Sequence, residues 1–209
     1  MILPEGITTI VLDFNGVISS DLNAAARSLG DFWGLPLSPE EVYARWRPVY
    51  LQASLGQIPV EQYWRELRSS FGLPPDYSPV EEDRWLSSLV PLEPDVAQTL
   101  TRLGRRYTLG LLSNHVGSWT RKLLAEWGLT EMFRTVLVSS DIGVRKPDLA
   151  PYQDVCRMLK VRPGVAVYVA DEEEDLVAAE KIGMFSIFIP GEDRESRVGK
   201  RIEHLSDLI

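Results

Sequence analysis

A chain of 209 residues, 44% of them hydrophobic and 25% charged, is long enough for one large domain or a main domain with a small companion. Acidic residues outnumber basic ones by 30 to 22, and the net charge of -8 opposes non-specific attraction to nucleic acid or an anionic membrane surface. No apolar run approaches the roughly 20 residues of a membrane-spanning helix, and the N-terminus lacks the pattern of a secretory signal. The single Cys156 cannot form an internal disulfide, which is typical of a reducing cytoplasm. We expect a soluble cytoplasmic protein that is a monomer or a homodimer.

Five short runs of apolar and β-branched residues have the composition of buried strands. They are residues 7–12, 107–113, 135–139, 165–170 and 185–189. Helical periodicity at residues 119–127, 150–159 and 175–182 alternates with the last four runs. This alternation predicts an α/β fold, in which helices cover both faces of a parallel sheet.

The interval between the first two strands is too long for a single crossover connection. Residues 16–95 show helical periodicity and no convincing strand. Four helices are predicted at residues 21–33, 39–54, 59–71 and 79–89, the last three opened by proline. We interpret residues 16–95 as an inserted all-α cap, and residues 1–15 and 96–209 as the main domain.

Polar and charged side chains stand at the carboxyl ends of the predicted strands, the edge at which open parallel sheets bind ligands. Asp13 follows the first strand, Ser113 and Asn114 end the second, and five carboxylates follow the fourth at residues 171–175. Lys146 precedes the helix at 150–159. A carboxylate nucleophile, a hydroxyl donor, a lysine and an acidic cluster are the parts needed for metal-assisted phosphoryl transfer through an aspartyl intermediate.

In order and spacing, these residues resemble the motifs of the haloacid dehalogenase superfamily, in its subfamily with a helical (C1-type) cap. The first motif matches the sequence Asp13-Phe14-Asn15-Gly16 except at Asn15. The second matches at Ser113, the third at Lys146, and the fourth at residues 170–175, with alanine in place of glycine. The resemblance spans nearly the whole chain and implies a three-layer, Rossmann-like parallel-sheet core with the inserted helical cap.

The resemblance also implies roles for single residues. Asp13 would attack phosphorus, and Lys146 would offset its charge while helping Ser113 to bind the transferring oxygens. The catalytic and substrate-binding residues so implied are Asp13, Asn15, Ser113, Asn114 and Lys146. The implied substrate is a small phosphate ester.

A magnesium ion is the cofactor that the resemblance implies. Its ligands would be the Asp13 carboxylate, the Asn15 backbone carbonyl and Asp171, with help from Asp175 or Glu172. These are the oxygen ligands that a hard cation prefers. The ion would also bring an anionic substrate to an acidic protein.

Asn15 stands where phosphatases of this superfamily carry an aspartate that protonates the leaving alcohol and then activates water. Asparagine forms hydrogen bonds but does not titrate in the useful range, and loss of a general acid-base typically costs roughly 10²- to 10⁴-fold in rate. We therefore expect a weakened Mg²⁺-dependent phosphatase in which phospho-Asp13 accumulates.

Two other functions remain open. An L-2-haloacid dehalogenase uses the equivalent nucleophile without a metal, although that branch carries tyrosine at the position of Asn15 and Ser-x-Asn in place of residues 171–173. A non-enzymatic descendant would keep the fold as a binding module, with the tryptophan-rich cap as its contact surface.

Four of the six tryptophans lie in the predicted cap: Trp33, Trp46, Trp64 and Trp85. Large aromatic side chains supply the apolar area that a small helical bundle needs to close. One or two of them could instead face the cleft and select an aromatic or apolar leaving group. His115, beside the second motif, is expected at a helix start or in solvent.

Overall fold

The computed structural model describes residues 3–190 and 195–209, which form a six-stranded sheet. Its strands are β1 (Thr9–Leu12), β2 (Thr108–Ser113), β3 (Thr135–Val138), β4 (Ala166–Ala170), β5 (Phe185–Phe188) and β6 (Lys200–Arg201). They are arranged in the order β3-β2-β1-β4-β5-β6, and every neighbouring pair is parallel. The carboxyl ends of β1, β2 and β4 therefore meet at one edge, in the centre of the sheet.

Ten α-helices accompany this sheet within the described residues. Six lie between β1 and β2: α1 (Leu22–Arg27), α2 (Leu29–Phe32), α3 (Pro39–Ser54), α4 (Val60–Ser70), α5 (Pro79–Leu86) and α6 (Val96–Gly104). The others are α7 (Gly117–Glu126), α8 (Ser139–Ile142), α9 (Leu149–Leu159) and α10 (Glu173–Lys181). None of the helices in this part of the chain combines the length and apolar character needed to cross a bilayer.

Both faces of the sheet are buried, and because successive side chains of a strand point to opposite faces, they divide between two apolar clusters. On β1, Ile10 and Leu12 join one apolar cluster with the helices that follow β1, whereas Val11 joins a second cluster with α9 and α10. On β4, Val169 faces the first cluster and Tyr168 the second. The predicted three-layer α/β architecture with a helical insertion is confirmed.

The structure departs from the sequence-based expectation in a few elements. The helix expected at 21–33 is two helices, divided at Ser28, whose hydroxyl donates to the carbonyl of Ala25 at 2.8 Å. Helix α6 was not predicted, although its buried Val96, Leu100 and Leu103 carry a helical spacing. The two-residue β6 is too short to leave a sequence signal. Residues 1, 2 and 191–194 of the predicted main domain lie outside the described residues.

Candidate active site

Asp13 follows β1 directly and stands at the central carboxyl edge of the sheet. Its backbone N–H donates to the carbonyl of Val169 at 2.9 Å, which extends the pairing of β1 with β4 by one residue. Its Oδ1 accepts a hydrogen bond from the N–H of Phe14 at 2.7 Å. The sheet and the next peptide group thus fix a largely buried carboxylate that still lines a pocket.

Lys146 links Asp13 to a second carboxylate. Its Nζ lies 2.7 Å from Asp13 Oδ2 and 2.7 Å from Asp175 Oδ2, and its side chain is 2% exposed. It also donates to Tyr168 Oη at 2.7 Å, and Tyr152 Oη donates to Asp175 Oδ1 at 3.0 Å. Three residues predicted from separate motifs therefore meet in one buried ion-pair network, to which two tyrosines contribute hydrogen bonds.

Asn114 holds the backbone of Lys146 on both sides. Its Oδ1 accepts from the Lys146 N–H at 2.9 Å, and its Nδ2 donates to the Lys146 carbonyl at 3.0 Å. From α3, Tyr50 Oη donates to the Asn114 carbonyl at 2.8 Å, and Arg145 donates to Ser54 Oγ. The inserted helices thereby contact the same loops that present Lys146.

A glycine in the loop after Asp13 allows the Asp171 side chain to approach the site. Gly16 adopts a φ of +76°, and a β-carbon at this position would lie 2.0 Å from Asp171 Oδ2. Glycine is therefore required both by the backbone conformation and by the approach of the carboxylate. Asp171 and Asp13 line the same pocket, so the fourth motif lies beside the first, as their positions at adjacent strand ends predict.

A pocket of about 340 Å³ lies between this edge of the sheet and α3, and we call it the site pocket. Its carboxylates are Asp13, Asp21, Asp171, Glu172, Glu174 and Asp175. From α3 come Tyr43, Trp46, Arg47, Tyr50 and Leu51, and Asn15, Asn114, Arg145 and Lys146 also line it. The carboxylates at the edge of the sheet thus lie across the pocket from the aromatic side chains and the arginine of α3.

The cap tryptophans divide between the two roles considered from the sequence. Trp64 and Trp85 are at most 1% exposed and pack edge to face, with ring centroids 5.7 Å apart. Trp33 packs against Trp64 at 6.3 Å. Trp46 lines the site pocket and stacks on Tyr50 at 4.5 Å. All of this aromatic area helps to close the helical bundle, and Trp46, itself 1% exposed, also borders the site pocket.

Burial and charge set the ionisation of the pair at the centre. Burial raises the pKa of Asp13 from 3.8 to about 6; Lys146 opposes this rise and Asp175 adds to it. Burial alone would lower the pKa of Lys146, but Asp13 and Asp175 together raise it above its ordinary value. At neutral pH the pair is therefore a lysine cation beside a carboxylate that is mostly ionised.

Three buried polar atoms near Asp13 have no hydrogen-bond partner within residues 3–190 and 195–209: Asn15 Oδ1, Ser113 Oγ and His115 Nε2. Ser113 ends β2 and is 1% exposed, and it is not among the described residues that line the site pocket. Of the two positions expected for His115, the helix start is the one it takes, since it lies just before α7 and is fully buried. Unsatisfied polar atoms cost stability unless a bound group completes them.

The oxygen atoms at this edge fit part of the ligand shell of a magnesium ion. Asp13 and Asp171 are carboxylates on the same rim, and the buried Asn15 Oδ1 lacks a partner among the described residues. Both oxygens of Asp175 already bind Lys146 and Tyr152. Within the described ranges, no three Asp, Glu, His or Cys side chains group closely enough to form a metal site alone. Magnesium commonly uses one or two carboxylates and completes its shell with water and substrate phosphate.

Comparison with known proteins identifies the family of this chain. The family pattern described as haloacid dehalogenase-like hydrolase matches residues 41–189. The chain therefore belongs to the haloacid dehalogenase-like hydrolases. The phosphoglycolate phosphatase of Cereibacter sphaeroides (strain ATCC 17029 / ATH 2.4.9) is 28% identical over 193 residues, covering 87% of this chain and 85% of its own.

Solved structures share the fold at lower identity. The L-2-haloacid dehalogenase of Xanthobacter autotrophicus, with chloropropionic acid covalently bound, has a TM-score of 0.69 and 22% identity over 97% of this chain and 96% of its own. A haloacid dehalogenase family enzyme of Bacteroides thetaiotaomicron, in an Asp-to-Ala variant with magnesium and inorganic phosphate, has a TM-score of 0.75 and 18% identity over 90% and 96%. At these identities the likeness shows that the three proteins share a fold.

Sequence reasoning missed the polar partners that are not in the motifs. Tyr168 and Tyr152 were assigned only to an apolar strand and a helix, although a tyrosine in a buried strand signals a hydroxyl that needs a partner. Tyr50 and Arg47 gave no such signal, because their place at the pocket depends on how α3 docks on the sheet.

Proposed function

We propose that this chain is a phosphatase-like hydrolase, which acts on a small phosphorylated molecule through Asp13 and is slowed by Asn15. The observation that carries the proposal is the buried Asp13–Lys146 pair, 2.7 Å apart, at a pocket shared with Asp171. The 28% identical phosphoglycolate phosphatase supports a phosphate ester as the substrate class. In this proposal residues 16–95 are the cap, and residues 1–15 and 96–209 the catalytic core.

The first chemical step uses Asp13. One carboxylate oxygen forms a bond to phosphorus while the bond to the leaving oxygen breaks, and the leaving group departs with the electron pair. Lys146 keeps Asp13 ionised and oriented, and Asn114 retains one amide N–H for a phosphoryl oxygen after its bond to Lys146. Ser113 Oγ, which is buried outside the pocket lining, would have to become exposed to the pocket before it could give a second hydrogen bond.

A magnesium ion, held by Asp13, Asp171 and an oxygen of Asn15, would supply positive charge to the phosphoryl oxygens. Asn15 itself cannot give a proton to the leaving oxygen, which must take one from water. Esters with acidic leaving groups should therefore react fastest. Water attack on phospho-Asp13 also lacks a general base at position 15, so the acyl phosphate persists.

Intact mass spectrometry tests this function. Incubation with acetyl phosphate or p-nitrophenyl phosphate and Mg²⁺ should add one phosphoryl group to the wild-type chain and none to Asp13→Ala. The Asn15→Asp variant should lose the adduct and gain turnover, roughly 10²-fold or more. A wild type without adduct, together with an inactive Asn15→Asp variant, would contradict the proposal.

A dehalogenase is the second candidate. The lysine-carboxylate pair needs no metal, and position 15 carries no acid either in this chain or in the L-2-haloacid dehalogenases. The ester link would then form between Asp13 and a substrate carbon, with halide as the leaving group. Chloride release from L-2-chloropropionate in the presence of EDTA would favour this activity over the phosphatase. Tight ligand binding that survives Asp13→Ala, without turnover of either substrate, would indicate a binding protein.

A further inference from the structure

The Lys146 ammonium group has three N–H bonds, and the structure gives each of them an acceptor. The acceptors are Asp13 Oδ2, Asp175 Oδ2 and Tyr168 Oη, all at 2.7 Å from Nζ. The side chain of Lys146 is 2% exposed, so these three acceptors account for the hydrogen bonds of a nearly fully buried ammonium. A contact from this ammonium to a substrate would have to replace one of the three bonds.

Of the three acceptors, Tyr168 is the neutral one. It lies in the middle of β4, paired with Val11 on β1 and Ser186 on β5, and it is fully buried. A strand that is paired on both sides gives its side chain little freedom, so the hydroxyl is held more rigidly than a loop residue would be. The phenol also adds no third negative charge beside Asp13.

A second tyrosine supports the same arrangement from α9. The Tyr152 ring packs edge to face on Tyr168, with centroids 5.2 Å apart, and its hydroxyl donates to Asp175 at 3.0 Å. Asp175 is thereby fixed on one oxygen while the other faces Lys146. The lysine is thus held by Asp175 and Tyr168 as well as by Asp13, and neither tyrosine is among the described residues that line the site pocket.

We propose that Tyr168 is a positioning residue, which acts through Lys146 to hold the ammonium group against Asp13. The inference rests on the proposed function, since it assigns Tyr168 a role in the reactivity of that aspartate. Without the phenol, one buried N–H loses its acceptor, and the ammonium is no longer fixed in its position relative to Asp13. A displacement of about 1 Å at such a site can cost roughly 10²-fold in rate.

The Tyr168→Phe variant tests the role with little change in volume. Its rate of Asp13 phosphorylation by acetyl phosphate should fall by roughly tenfold or more at saturation, with little change in the concentration giving half the maximal rate. The matched control is Tyr63→Phe, which removes another fully buried hydroxyl, one that accepts from Trp46 Nε1 at 3.1 Å without contact to Lys146. The control should keep the wild-type rate.

A double-mutant cycle separates this role from a general structural one. If Tyr168 acts through Lys146, Tyr168→Phe should have no further effect on the rate in a Lys146→Met background. Additive losses, or a wild-type rate in the single variant, would overturn the proposal. Thermal unfolding of each variant identifies a rate loss that comes from misfolding.

A readout without activity keeps the inference testable on its own. In ¹⁵N-labelled wild type, the Lys146 ammonium should give a slowly exchanging NMR signal, assigned by its loss in Lys146→Arg. Tyr168→Phe should accelerate its hydrogen exchange by about tenfold or more, since one N–H loses its acceptor. If wild type forms no adduct, the proposed function fails, and this signal alone decides the role of Tyr168. An unchanged signal would refute it.

Discussion

The side chain of Asn114 and the backbone of Lys146 are joined by two hydrogen bonds, of 2.9 and 3.0 Å, across 32 positions of sequence. One amide group thus satisfies both the N–H and the carbonyl of the residue whose ammonium faces Asp13. Because β2 positions Asn114 and a loop carries Lys146, the bonds transfer the rigidity of the sheet to that loop.

Replacing Asn114 by alanine should therefore affect reactivity more than folding. The loop would lose both bonds, and the phosphorylation rate of Asp13 should fall roughly 10- to 100-fold, since the lysine is no longer aligned. The control Tyr50→Phe removes only the 2.8 Å bond to the Asn114 carbonyl and keeps the amide pair. Single-turnover mass spectrometry compares the two, and equal losses would contradict the special role of the amide.

The ionisation of Asp13 should be visible in the metal-free protein. Since burial raises its pKa to about 6, the ¹³C signal of its carboxyl, assigned with Asp13→Asn, should titrate near that value instead of near 3.8. The anion is the nucleophile, so reactivity should rise as pH increases through this range. Added Mg²⁺ should move the inflection to lower pH by stabilising the anion. A metal-free inflection below 4.5 would be inconsistent with this environment.

The raised pKa of Asp13 also determines in which direction the stability of the fold changes with pH. A carboxyl whose folded pKa lies above its unfolded value contributes stability that is present below the unfolded value and is lost as pH rises through the folded one. For Asp13 that window runs from 3.8 to about 6. Between these limits, metal-free wild type should lose stability relative to Asp13→Asn, as measured by urea unfolding at several pH values.

The sequence allowed the meeting of Asp13, Lys146 and Asp171 to be predicted because parallel strands end at one edge, and motif order identified which ends matter. It did not allow the contacts of Tyr168 or Tyr50 to be predicted. A hydroxyl on a buried strand finds its partner through the face on which it lies and through what a distant loop places there. The contacts of a residue on an inserted helix depend on how the insert docks on the sheet, and no local sequence pattern encodes that docking.

Arg47 is the basis of a prediction about substrate choice. It lines the site pocket from α3, and within residues 3–190 and 195–209 it makes no hydrogen bond or ion pair. A phosphate ester that carries a carboxylate on its leaving group would offer this guanidinium a partner, whereas a neutral leaving group would not. Arg47→Ala should raise KM for the first kind roughly tenfold and leave the second unchanged.

The neighbouring Arg45 provides the control for Arg47. It lies on the same helix, its guanidinium is 5.7 Å from the Phe71 ring, and it is not among the described residues that line the pocket. Arg45→Ala changes the net charge equally, so a shared rise in KM would indicate a general electrostatic effect instead of a contact. A screen of paired esters against both variants measures the difference.

Alanine variants of Gly16 and Gly34 distinguish the cost of backbone strain from the cost of crowding against Asp171. Both have positive φ, +76° and +65°, but a β-carbon at Gly34 meets nothing within 4 Å, whereas one at Gly16 meets the Asp171 carboxylate. Gly34→Ala should cost about 1 kcal/mol, the usual penalty for an L side chain in this conformation. Gly16→Ala should cost more and weaken Mg²⁺ binding, because Asp171 or the loop must move. Urea unfolding and calorimetric Mg²⁺ titration measure the two effects. Equal stability losses with equal Mg²⁺ affinity would show that Asp171 does not need this approach to bind the ion.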